Sequence, residues 1–152
     1  MLSLSVAIAE AYKRGNKVLI CGNGGLCAEA EHFQAELMGK YGRDIFIPCI
    51  SLTGPSALIT ALANDIGYEW VFAHQVETFG QTGDVFIGMT TSASKNIVAA
   101  YHVADGKCLH SFIIDRRTIE GDTVGEIQNN IIKFLHQVAL EAKELCVEDA
   151  VR

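Results

Sequence analysis

The sequence predicts an α/β fold, a doubly wound, flavodoxin-like parallel sheet covered on both faces by helices, with a long helix at each end. Two observations predict it. Four short apolar runs bounded by turn residues have the character of strands buried on both faces, and stretches with helical spacing alternate with them. Strands alternating with helices require crossover connections, and crossovers make the sheet parallel.

The elements follow in order. Leu2 to Arg14 reads as an amphipathic helix stopped by Gly15-Asn16. It lacks the basic start of a secretory leader and carries Glu10, Lys13 and Arg14 at helical spacing. "KVLICG" is the first strand, and "IFIPCISL", "DVFIGMT" and "CLHSFIID" repeat its pattern. Helices are expected over Ala28 to Met38, Ser56 to Ala63, Trp70 to Phe79 and Asn96 to Ala104. In the final stretch, from Thr123 to Cys146, apolar residues recur at Val124, Ile127, Ile131, Leu135, Val138 and Ala142, the spacing of a long closing helix. With no repeat, linker or low-complexity tract, residues 1–152 read as one domain.

Composition narrows the function. A net charge of -6, with no basic run longer than Lys13-Arg14 or Arg116-Arg117, gives no footprint for nucleic acid or an anionic membrane. No apolar stretch approaches the roughly 18 residues of a spanning helix. Five cysteines, without a C-x-x-C pair or a dense framework, predict free thiols and a cytoplasmic, reducing compartment.

Two strand-to-helix junctions can hold an anion. "GNGG", Gly22 to Gly25, allows a sharp turn and close ligand approach at a helix N-terminus, although an ordinary tight turn has the same look. It is neither a G-K-[ST] loop nor a G-x-G-x-x-G fingerprint. "GMTTSASKN" brings Thr90, Thr91, Ser92 and Ser94 to the carboxyl end of a strand; helix capping needs only one of those hydroxyls, and a phosphate site would use more. His32 and Glu36, four apart, share a helix face, as a metal-ligand pair, a base with its orienting partner or a plain surface contact. Gln128 and His136, eight apart on the closing helix, face broadly the same way; alone, His136 reads equally as a core histidine. His74, His102 and His110 have no comparable neighbourhood.

Together, "NKVLICGNGG", "AEAEHFQAELMGKY", "LITALANDIGYEWVFAHQVETFGQTGDVFIGMTTS" and "EIQNNIIKFLH" resemble, in order and spacing, the sugar isomerase (SIS) domain and, within it, the phosphoheptose isomerase family. The resemblance covers well over half the chain. It implies conversion of sedoheptulose 7-phosphate to glycero-manno-heptose 7-phosphate for bacterial lipopolysaccharide. It further implies Glu36 and His136 as acid/base residues and one zinc per subunit held by His32, Glu36, Gln128 and His136. Asn23, Gly24, Gly25, Asp65, Thr90, Thr91, Ser92, Ser94 and Gln128 are the implied substrate contacts, in a homotetramer whose active sites are completed across subunits.

The chain departs from the family at three places. Leu26 replaces a usual substrate-contacting serine, the Ser/Thr loop is one residue short, and Asp105 to Thr123 has room for one strand where the family has two and a helix. Losing that unit is expected to expose apolar surface. The competing reading is a non-catalytic SIS protein that senses a sugar phosphate or binds a protein such as the bacterial replication initiator. Replication-initiator-binding relatives lack the glutamate and histidine found here at Glu36 and His136, which favours the enzyme.

Overall fold

A computed structural model describes residues 3–148. The first helix, α1 (Leu4–Lys13), starts where Ser3 caps it by accepting the Val6 N–H; the expected start at Leu2 lies outside the described residues. Then follow β1 (Val18–Gly22), α2 (Gly25–Met38), β2 (Cys49–Ser51), α3 (Ser56–Asp65), a single 3-10 turn (Tyr68–Trp70), α4 (Val71–Phe79), β3 (Val85–Met89), α5 (Lys95–Gly106), β4 (His110–Ile114) and α6 (Val124–Glu148).

All strand pairs are parallel, in the order β2-β1-β3-β4. Alternate residues of β1 and β3 face opposite sides, and both sides are buried. Val18, Ile20, Val85, Ile87 and Met89 pack with α1, α2 and α6, while Leu19, Cys21 and Phe86 pack with α4 and α5. This is the doubly wound arrangement expected from apolar strands alternating with helices.

β2 is shorter than the "IFIPCISL" run suggests, pairing over three residues only. Pro48 has no N–H to give, and its carbonyl instead accepts from Val18. α2 begins earlier than expected, at Gly25, because the loop runs straight into it. α6 opens with a capping box: Glu126 N–H donates to Thr123 Oγ1, and Thr123 N–H donates back to Glu126 Oε2.

Between Asp105 and Thr123 the described residues form one strand, β4, which ends the sheet. Ser111, Phe112 and Ile113 are only half-buried there, as expected where a neighbouring unit is lacking. All five cysteines are free, and no described helix is long and apolar enough to cross a membrane.

Candidate active site

The strand order changes direction between β1 and β3, and in open α/β sheets ligands bind outside the strand carboxyl ends at that point. Gly22 pairs in register with Met89, so the glycine loop and the Thr90–Ser94 loop leave the sheet side by side. Gly24 takes φ +57, a left-handed conformation that a side chain would strain. The turn delivers the chain directly into α2, where the Leu26 and Cys27 N–H groups donate to Asn23 O and Gly24 O at 3.0 Å and the amino end of the helix favours an anion.

An amide clamp joins the two loops. Asn23 and Asn96 exchange side-chain hydrogen bonds at 2.9 Å in both directions, and the Tyr68 hydroxyl donates to Asn23 Oδ1 at 2.9 Å. The Asn23 side chain is therefore engaged within the protein, and its carbonyl accepts the Leu26 N–H. In the second loop, the Thr90 hydroxyl accepts the Ser92 and Ser94 N–H groups and is hydrogen-bonded to Ser94 Oγ at 3.2 Å. Ala93 passes through φ +53, which lets this shortened loop close. Thr91 is half-buried and Ser92 is exposed at its tip.

Leu26 is buried among α2 and α6 core residues and offers the loop nothing polar. Gly25, in contrast, is a point of close approach: a Cβ there would lie 2.8 Å from Gln128 Nε2. Gln128 thus stands at the amino end of α2, and eight residues of α6, about 12 Å of helix, separate it from His136. Asp65 is exposed at the end of α3 and bonded to Asn64. Tyr68, in the turn that follows, is the residue that reaches the glycine loop.

Two turns along α2, His32, Glu36 and His136 come together, with one ligand atom from each lying within 4.8 Å of the others. Glu36 is 6% exposed, and its Oε1 faces both His32 Nε2, at 3.1 Å, and His136 Nδ1. The two imidazoles meet edge to face, 5.2 Å between centroids. Glu36 Oε2 is buried without a partner. A carboxylate oxygen left without a hydrogen bond carries an uncompensated desolvation cost, and a cation bound to it would remove that cost. Two imidazole nitrogens and a carboxylate form a donor set that suits a transition-metal site with a position left open. The residues present therefore fit a metal.

Two neighbours, Tyr41 and Glu29, are not among the residues that the spacing singled out. The Tyr41 ring lies 5.7 Å from that of His136. Glu29, one turn before His32, has its carboxyl raised above the ordinary range by burial, with His32 and His136 partly offsetting the rise. The i−3 spacing of Glu29 from His32 was a readable signal. No local pattern marks the contact of Tyr41 with a helix almost 100 residues away.

A phosphoheptose isomerase from Roseiflexus sp. is 42% identical over 106 residues, 68% of this chain and 54% of the relative. One from Helicobacter hepaticus is 46% identical over 99 residues, 64% of this chain and 50% of the relative. The chain spans about half the length of the curated relatives it matches. Solved phosphoheptose isomerases from Neisseria gonorrhoeae and Francisella tularensis superpose with TM-scores of 0.83 and 0.85. Both are 27% identical and cover 92% of this chain and 83% of theirs. The SIS domain profile matches residues 1–107. With the doubly wound sheet and the loops at its switch point, that match shows that the chain belongs to the SIS domain family.

Proposed function

We propose that this chain is an aldose-ketose isomerase acting on sedoheptulose 7-phosphate, the phosphoheptose isomerase reaction that supplies glycero-manno-heptose 7-phosphate for lipopolysaccharide. The observation that carries the reading is the placement of His32 and Glu36 on the helix that the glycine loop opens, with His136 of α6 facing Glu36. From Gly25 to His32 the helix rises about 10 Å. At about 1.2 Å of reach per bond in an extended chain, the eight bonds from phosphorus to C1 of the open-chain substrate also span about 10 Å. Phosphate on the two loops would thus bring C1 and C2 to the histidines.

The reaction moves a proton from C1 to C2 and a hydroxyl proton from O1 to O2 as the carbonyl shifts from C2 to C1, so nothing is gained or lost overall. Glu36 takes the C1 proton and returns it at C2 through an enediolate; His136, facing Glu36 Oε1, exchanges the hydroxyl protons. His32 holds Glu36 from the other side. A zinc ion bound by His32, Glu36 and His136 would polarise the substrate oxygens, and Gln128, beside Gly25, is proposed as a substrate contact. Gly24, Gly25, Thr91, Ser92 and Ser94 are the proposed phosphate contacts, with Asn23 binding through its backbone.

In this reading residues 1–152 act as one cytoplasmic SIS domain within a homotetramer. α3 has six apolar residues and buries none of its ten, and Ile66, Tyr68 and Trp70 beyond it are exposed, a surface suited to a neighbouring subunit that would bring Asp65 to a site. The test is a coupled assay with sedoheptulose 7-phosphate after chelation and after zinc is restored. Turnover lost on chelation and recovered with zinc supports the proposal. Binding of the sugar phosphate without turnover in either state would assign the chain to non-catalytic SIS sensors.

A further inference from the structure

Lysine is almost never fully buried unless its charge is met, yet Lys143 on α6 is 0% exposed. Its Nζ donates to Gly39 O at 2.7 Å and to Tyr41 O at 3.1 Å. Gly39 caps α2, so the ammonium sits where unpaired helical carbonyls and the helix dipole favour a cation. Burial pulls the Lys143 pKa down, while Glu36 and Asp44 draw it back up.

The same seam of α6 holds the rest of that segment. Leu140 packs under Gly42, which turns at φ +73, and Glu144 receives a two-pronged ion pair from Arg43 at 2.7 and 2.8 Å. His136, Leu140, Lys143 and Glu144 follow at i, i+4, i+7 and i+8, one face of the helix. Each faces the segment from Gly39 to Asp44, and His136 meets it through Tyr41. Joining α2 to α6 by packing alone would need only an apolar side chain, without the cost of desolvating a charge.

We infer that Lys143 is a positioning residue: by fastening the Gly39–Asp44 segment to α6 it holds Tyr41 against His136 and so fixes the imidazole that faces Glu36. The inference rests on the reading of His136 as a catalytic group. The test compares Lys143→Met, Tyr41→Ala and the double variant in the full chain. The readouts are the imidazole nitrogen resonances of His136, hydrogen exchange of residues 39–44, and kcat with KM for sedoheptulose 7-phosphate.

Lys143→Met should move the His136 resonance in the same direction as Tyr41→Ala, and the double variant should move it no further. Kcat should fall by about tenfold to hundredfold with KM changed less than about threefold. Unchanged His136 resonances and kcat, with faster exchange or a lower melting temperature, would overturn the inference and leave Lys143 a packing residue. Should Lys143→Met fail to fold, Glu144→Gln loosens the same segment from its exposed end. A smaller shift in the same direction then supports the inference, and no shift overturns it. If the parent chain turns over no sugar phosphate, the proposed function fails, and the resonance readout still decides the positioning.

Discussion

Replacing Glu36 with glutamine separates chemistry from folding. The carboxylate is 6% exposed, with Oε1 between two imidazoles and Oε2 buried without a partner. Glutamine keeps the shape and one accepting oxygen for the histidines, and exchanges an orphaned oxygen for an orphaned amide. One buried unsatisfied group replaces another, each costing about 1–3 kcal/mol, so the two costs largely cancel. For a chain of this size the melting temperature should move by no more than about 4 °C. Glutamine cannot carry the proton, and losing acid/base catalysis costs about 10²–10⁴ in rate, about 2.7–5.5 kcal/mol of barrier. The assay is kcat for sedoheptulose 7-phosphate beside a thermal melt of the same preparation. Activity within about threefold of the parent would refute the role of Glu36. A melting temperature lowered by more than about 10 °C would refute the structural reasoning, because the carboxylate would then be a main support of the fold.

Three further predictions come from other parts of the structure. Ser92→Ala, at the exposed tip of the second loop, should raise KM for the phosphorylated sugar more than it lowers kcat; steady-state kinetics checks it, and an unchanged KM moves the phosphate elsewhere. Gly25→Ala would press a Cβ on Gln128 Nε2, so it should displace that amide and raise KM while circular dichroism and the melt stay near the parent's. Burial alone would raise the Asp84 carboxyl, but bonds from Lys17, Gln81 and Asn16 outweigh it and hold it below its ordinary value. A folded-state pKa below the unfolded one means stability present above about pH 4 and lost as pH falls through the folded value. Asp84→Asn should therefore cost about 2 kcal/mol at pH 7, with the gap to the parent closing in acid, as melts across pH would show.

Much of the fold was legible because β1 and β3 are apolar on both faces, a pattern that only a covered parallel sheet satisfies. β2 was overdrawn because its run of apolar residues hides the missing donor of Pro48. The helical period placed His32 with Glu36, since i,i+4 neighbours meet wherever the helix lies. That His136 would face Glu36 depends on how α6 packs beside α2, a contact across 100 residues that no local spacing encodes; there the resemblance to a known family supplied what periodicity could not. Asn96 and Tyr68 went unnoticed as a clamp because their partner, Asn23, lies on another loop. Lys143 does carry a sequence signal, a lysine set among Ala139, Ala142 and Cys146 on the buried stripe of α6.

In the proposed reaction Glu36 carries a proton between neighbouring carbons of a sugar phosphate while His136 exchanges the hydroxyl protons. Running the reaction in D2O with the zinc-loaded protein and following the product by proton NMR tests it most directly. Deuterium is expected at C2 of the aldose phosphate, at a rate that Glu36→Gln lowers by about 10²–10⁴. Sugar phosphate that binds yet acquires no deuterium and yields no aldose would contradict it.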